Sequence, residues 1–234
     1  MQRVKPANGE IYHIYNRGVE KRQVFLNDED RFRFIHDLFE FNDVEPAPNL
    51  AYHLHHKQSK EVGLPKIGRK KRRLVVELMA FCLMRNHYHL IVRQKIDGGI
   101  TEFMRKLGTG YTNYFNQKYQ RVGPLFQGKY KIIRLITEAH FIHLPYYVHL
   151  NPLDFIAPSW RERKVENYKE AISSLKKYRW SSLPDYLGQP NFPSVTQRDF
   201  LMRFFDGPKN YQKSIFDWLK HLNTEMIDGI KIER

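Results

Sequence analysis

Asn86-His87-Tyr88-His89-Leu90-Ile91-Val92 reads as a β-strand, rich in aromatic and β-branched residues. In a strand, residues two apart share a face. His87 and His89 therefore project side by side, and Tyr88 points the other way. Two neutral imidazoles at that spacing can bind one divalent cation. Alternation also produces such pairs by chance, and the alternative is two strand histidines that only hydrogen-bond.

The flanking segments supply the context. Leu74 to Met84 is a mostly apolar run, a buried strand, and Arg85-Asn86 is a tight connection, so the two strands pair as a hairpin. Upstream, Ile11 to Tyr15 alternates as a short strand and ends at the turn signal Asn16-Arg17-Gly18. Asn27-Asp28-Glu29-Asp30 opens a helix with acidic first-turn residues, and Phe32, Phe34, Ile35, Leu38 and Phe39 give it an apolar face.

Downstream, Gly98-Gly99 breaks the chain. A helix follows from about Ile100 to Tyr119, weakened in its middle by Gly108 and Gly110. Tyr130 to Ile136 is a further strand, and Glu138 to about Leu150 a further helix, ended by Asn151-Pro152.

The order β-α-β-β-α-β-α predicts an α+β fold of the ferredoxin-like split βαβ plan. Such a fold has a four-stranded antiparallel sheet with two helices on one face. Residues 1–155 form this domain, with 44–73 as an irregular basic loop insertion. Residues 156–234 are a helical C-terminal extension, with pieces around 166–178, 196–205 and 209–224. It is expected to have its own small core, including Trp180, Phe204 and Trp218.

The chain has 234 residues and a formal net charge of +14. Residues 1–155 hold 25 Lys+Arg against 15 Asp+Glu, and residues 156–234 hold 14 against 10, so the block with the histidine pair carries most of the excess. A polyanionic partner, nucleic acid above all, is the expectation. Cys82 is the one cysteine, which excludes a disulfide framework and argues against a cysteine zinc site. No run of roughly 18 apolar residues exists, and the N-terminus leads into no apolar signal core. Cytoplasmic, nucleoid-associated residence without membrane contact is the expectation.

Candidate phosphate-gripping cations are the run Arg69, Lys70, Lys71, Arg72 and Arg73, and Arg121, Lys129, Lys131 and Arg134 around Phe126-Gln127-Gly128. Cations interleaved with aromatics suit single-stranded DNA, whose bases stack while its phosphates are tracked. The bland reading of both groups is a solvated basic loop. On the last helix of the block, His140, His143, Tyr147 and Asn151 are spaced 3, 4 and 4 and share one face of a continuous helix. Pro145 either starts or bends that helix and leaves His140 and His143 as core or surface residues, while Tyr147 to Asn151 stays intact. Tyr146 points about 100° away from Tyr147.

These residues resemble the HUH single-tyrosine transposases, in particular the REP-associated tyrosine transposase branch. The matching stretches are His87-Tyr88-His89, Phe126-Gln127-Gly128-Lys129-Tyr130, Tyr147-Val148-His149-Leu150-Asn151-Pro152 and Tyr178-Arg179-Trp180-Ser181-Ser182-Leu183. The similarity covers roughly residues 8–190.

The resemblance implies a metal-dependent nuclease and strand transferase on single-stranded DNA, at hairpin or repeat sequences. His87, His89 and Asn151 would be ligands of Mg2+ or Mn2+. Tyr147 would be the nucleophile that forms a 5′-phosphotyrosine bond. Monomers and homodimers both fit. The alternative is a non-catalytic or domesticated nucleic-acid-binding protein on the same fold.

Overall fold

The computed structural model describes residues 5–45, 72–162 and 164–221. Four strands, β1 (Ile11–Arg17), β2 (Val76–Leu83), β3 (His87–Gln94) and β4 (Lys131–Arg134), form one sheet in the order β2-β3-β1-β4. Every pairing is antiparallel. With helices α1 (Asp28–Glu40) between β1 and β2 and α2 (Gly99–Lys118) between β3 and β4, this is the expected ferredoxin-like plan.

Local chemistry fixes the elements. Asn27 caps α1: its side chain accepts from the Asp30 N–H at 3.1 Å, and Asp30 accepts from the Asn27 N–H at 3.3 Å. Asp30 also accepts from Lys118 and from the Tyr114 and Tyr119 hydroxyls, which pins α1 to α2. Burial pushes the Asp30 carboxyl up, but these hydrogen bonds outweigh burial and hold it below the usual carboxylate range.

Phe34, Ile35 and Leu38 of α1 and Phe103, Leu107, Tyr111 and Phe115 of α2 are buried against Tyr12, Ile14, Tyr88, Leu90 and Val92. Each large side chain contributes about 1.5–3 kcal/mol on burial. Phe32, expected on the apolar face of α1, is 43% exposed and meets the Trp180 ring edge-on at 5.1 Å.

The opposite face of the sheet carries the second core. Helix α3 (Glu138–Leu150) runs through Pro145 as one element, and a 3-10 segment, Asn151–Phe155, follows it. Helices α4 (Tyr168–Lys177), α5 (Leu183–Tyr186), α6 (Asp199–Phe204) and α7 (Pro208–Lys220) complete the described extension. Its residues Trp160, Leu175, Leu183, Leu201, Ile215 and Trp218 share one cluster with Met79, Cys82 and Ile91 of the sheet.

Among the described residues, the extension therefore has no separate core of the kind expected from the sequence. Trp218 joins the shared cluster, Trp180 joins the core on the other face, and Phe204 is 46% exposed. The reason is geometric: β2 and β3 are apolar on both faces, and α1 and α2 cover only one. Residues 180–182 also run along β2, with Leu83 N–H donating to Trp180 O and Ser182 N–H to Phe81 O, and so cover the edge of the sheet. A bulge at Met79, where Leu78 pairs with Val92 and Ala80 with Ile91, turns both Met79 and Ala80 toward this second core.

Candidate nuclease site

Strand β3 carries His87 and His89 on the face that meets α3, and Tyr88 on the other, as alternation requires. Their rings lie 5.2 Å apart at 78°. His89 is fully buried and His87 partly so. Beside His87 opens a cleft of about 320 Å³, lined by Lys21, Arg85, Asn86, His87, Asp154 and Phe155 among others.

Both imidazoles are held neutral. Burial, with Arg17 and Arg161 nearby, lowers His87 to about 3. Burial first, then His87, His13 and the same two guanidiniums, holds His89 well below the usual histidine value. Neutral rings are the form that coordinates a cation.

Their hydrogen bonds decide which nitrogens remain. Asn86 donates its amide to Lys21 O at 3.1 Å, so its Oδ1 accepts from His87 Nδ1 at 2.7 Å, leaving a lone pair on His87 Nε2. His89 Nδ1 lies 2.9 Å from His13 Nε2, and His89 Nε2 is buried with no hydrogen-bond partner. Among the described residues, no group of three or more His, Cys, Asp or Glu is arranged to hold a metal ion. A side-chain amide oxygen is a donor of another type, common among the ligands of hard cations.

Helix α3 supplies that donor type. The Tyr147 ring meets His89 edge-on, with centroids 5.9 Å apart at 88°. Asn151, one turn further and buried, donates to Tyr147 O at 2.7 Å and accepts on Oδ1 from Arg161 at 2.7 Å. Arg161 is ion-paired with Asp154 and lies over the Tyr147 and Trp160 rings at 5.4 and 4.4 Å. An orphaned His89 nitrogen, a His87 lone pair and an amide oxygen are donors of the types a divalent cation takes, and the amide oxygen is engaged by a guanidinium.

The structure thus sets His87 beside His89 and Tyr147 against His89, with Asn151 one turn beyond Tyr147 along the chain. Tyr146, next to Tyr147, packs instead among Phe205, Tyr211 and Trp218. His143 stacks on Trp218 at 5.9 Å, away from the histidine pair. The basic candidates are dispersed. Arg72 lies over the Phe39 ring, Arg73 pairs with Glu45, Arg134 with Glu10, and Arg121 bonds Asn116. Lys129 and Lys131 are exposed. Arg69, Lys70 and Lys71 lie outside the described residues.

The sequence reading missed His13, Asp154, Trp160 and Arg161. His13 had one available signal, its place opposite Tyr12 and Ile14 in the alternation of β1. Arg161 had none, because a 3-10 turn brings it back.

Residues 52–151 match the model of the transposase IS200-like family. The matched segment covers less than half of the chain. It includes the strand histidines, Tyr147 and Asn151. A solved structure described as a REP-associated tyrosine transposase bound to a REP hairpin aligns with a TM-score of 0.47 at 11% identity, over 85% of this chain and 92% of that chain. No curated protein sequence matches. Among the described residues, no helix is long and apolar enough to cross a membrane.

Proposed function

We propose that the chain is a DNA strand transferase that cleaves and rejoins single-stranded DNA beside hairpin or repeat sequences. The observation that carries this reading is the edge-on approach of His89 to Tyr147, with Asn151 one turn further on the same helix. A fold that only bound DNA would have no use for that convergence.

In the reaction the Tyr147 oxygen bonds to the scissile phosphorus and gives up its proton, and the bond from phosphorus to the 3′ oxygen breaks. That oxygen takes up a proton and leaves as a 3′-OH. The product is a 5′-phosphotyrosine ester. Rejoining is the reverse exchange with an incoming 3′-OH, and because ester replaces ester, no nucleotide cofactor is consumed.

His87, His89 and Asn151 would hold Mg2+ or Mn2+, whose chemistry is withdrawal of charge from the phosphate oxygens. Arg17 and Arg161, whose charges act on both histidines, would add positive potential where a phosphate would sit. The basic first block, Lys129 and Lys131 included, would track the flanking phosphates, as would the run Arg69 to Arg73.

The test is incubation with a panel of hairpin-bearing single strands and Mn2+, followed by mass analysis for a covalent adduct. The wild type and Tyr146→Phe should form it, and Tyr147→Phe should bind DNA without forming it. DNA binding with no adduct on any strand would support the non-catalytic alternative.

A further inference from the structure

We propose that His13 is the positioning residue for His89: its Nε2 accepts the Nδ1–H of His89, sets the tautomer of that ring and presents the His89 Nε2 lone pair to the divalent cation. The inference rests on the reading of His87 and His89 as ligands.

The geometry is specific. His13 and His89 are both fully buried. His13 pairs with Ile91 across β1 and β3, and Tyr15 pairs with His89, so His13 is the diagonal neighbour of His89 on one face of the sheet. Their rings stack at 5.2 Å and 6°, and Nε2 of the first lies 2.9 Å from Nδ1 of the second. Tyr15 closes the other side, 5.1 Å from the His13 ring and 6.2 Å from His89.

A neutral imidazole carries one proton, so this single hydrogen bond decides what His89 offers. If His13 donated, His89 would be protonated on Nε2, and a buried N–H would point at nothing. If His13 accepts, the same atom is a lone pair, which a cation satisfies. His87 has the parallel arrangement, with its Nδ1–H held by Asn86 Oδ1. Both ligands would then bind through Nε2, each with its second nitrogen tied to a neutral acceptor, as metal-ligating histidines generally are.

The experiment uses the full chain and Mn2+ alone. Its variants are His13→Phe, which keeps a ring and removes the acceptor, and His13→Gln, whose amide oxygen can accept in its place. Mn2+ affinity is read by electron paramagnetic resonance without DNA, and the His89 tautomer by 15N-resolved imidazole NMR of the metal-free protein.

Wild type should show His89 protonated on Nδ1. His13→Phe should weaken Mn2+ about 10- to 100-fold, His13→Gln should recover most of that loss, and metal-free DNA affinity should not change. Unchanged Mn2+ affinity in a folded His13→Phe would overturn this proposal alone. A wild type that binds no Mn2+ would overturn the ligand reading and the proposal with it. Should His13→Phe fail to fold, the wild-type spectrum decides, because His89 protonated on Nε2 is incompatible with His13 as acceptor.

Discussion

Replacing Tyr211 by phenylalanine removes one oxygen from the core that the C-terminal extension shares with the sheet, and the structure allows its cost to be worked out. His149 lies between Tyr147 and Asn151 in sequence, is fully buried, and has both ring nitrogens engaged: Nδ1 with the Tyr211 hydroxyl at 2.6 Å and Nε2 with Ser182 Oγ at 2.7 Å. Ser182 also bonds the backbone of Phe81, so one imidazole ties α3 to β2 on one side and to α7 on the other. Tyr211→Phe leaves His149 Nδ1 unsatisfied in a dry core, which costs about 1–3 kcal/mol. For a chain of this size that corresponds to a fall in Tm of roughly 2–12 °C.

Thermal unfolding followed by circular dichroism should show this fall. His149→Phe should show one of its own, and the double variant should lose less than the two together, because both changes remove the same bond. The adduct-forming rate of Tyr211→Phe should drop more than its DNA affinity, since the loosened residue sits inside the turn that carries Tyr147, the proposed nucleophile. A Tm unchanged within error, or strictly additive losses, would refute the argument that this bond holds the extension to the tyrosine helix.

Three further outcomes are expected. DNA affinity should fall steeply with salt, and charge reversal at Lys129 and Lys131 should flatten the slope in a titration across ionic strengths; salt-independent binding would contradict a phosphate-driven interface. Within α2, Gly108→Ala meets open space and should stabilise by up to about 1 kcal/mol, whereas a Cβ at Gly110 would lie 2.7 Å from the Phe41 ring and should destabilise by about 1–3 kcal/mol; denaturant midpoints that failed to split this way would be the counter-evidence. Burial pushes the Asp37 carboxyl up to about 6 against the opposing pull of Arg33, so its contribution is favourable below the usual value of 3.8 and is lost as pH rises through 6. Asp37→Asn should then add up to about 3 kcal/mol at pH 7.5 and little at pH 4, and unfolding curves showing a loss at pH 7.5 would mean that the Arg33 pair outweighs burial.

The order of elements was legible because each rests on local chemistry. The acidic first turn that opens at Asn27-Asp28-Glu29-Asp30, the alternation about His87 and His89, and the Gly98-Gly99 break all fall where the structure has them. Alternation reports which residues share a face of one strand, but not which residue of another strand lies beside them. The diagonal placement of His13 against His89 depends on the β1–β3 register, a tertiary fact. The joint core escaped the reading for a related reason. The apolar runs of β2 and β3 show that both faces are buried, yet nothing local says that α3 and the C-terminal extension cover the second one.

The family match ends at Asn151, but the site does not. Asn151 terminates α3, and Pro152, which cannot continue the hydrogen-bond ladder, sends the chain into a 3-10 turn that doubles back under the tyrosine helix. That return puts Trp160 against the Tyr147 ring at 6.2 Å and Arg161 on Asn151 Oδ1, with Asp154 bracing both newcomers through its Oδ1. Helical spacing can locate Tyr147 and Asn151 because they are one turn apart on a single element. It is silent about Arg161, which is ten residues from Asn151 along the chain and in hydrogen-bond contact with it in space. A segment cut at Asn151 would keep the motif, lose the aromatic wall behind Tyr147, and leave the carboxamide oxygen of Asn151 without its donor.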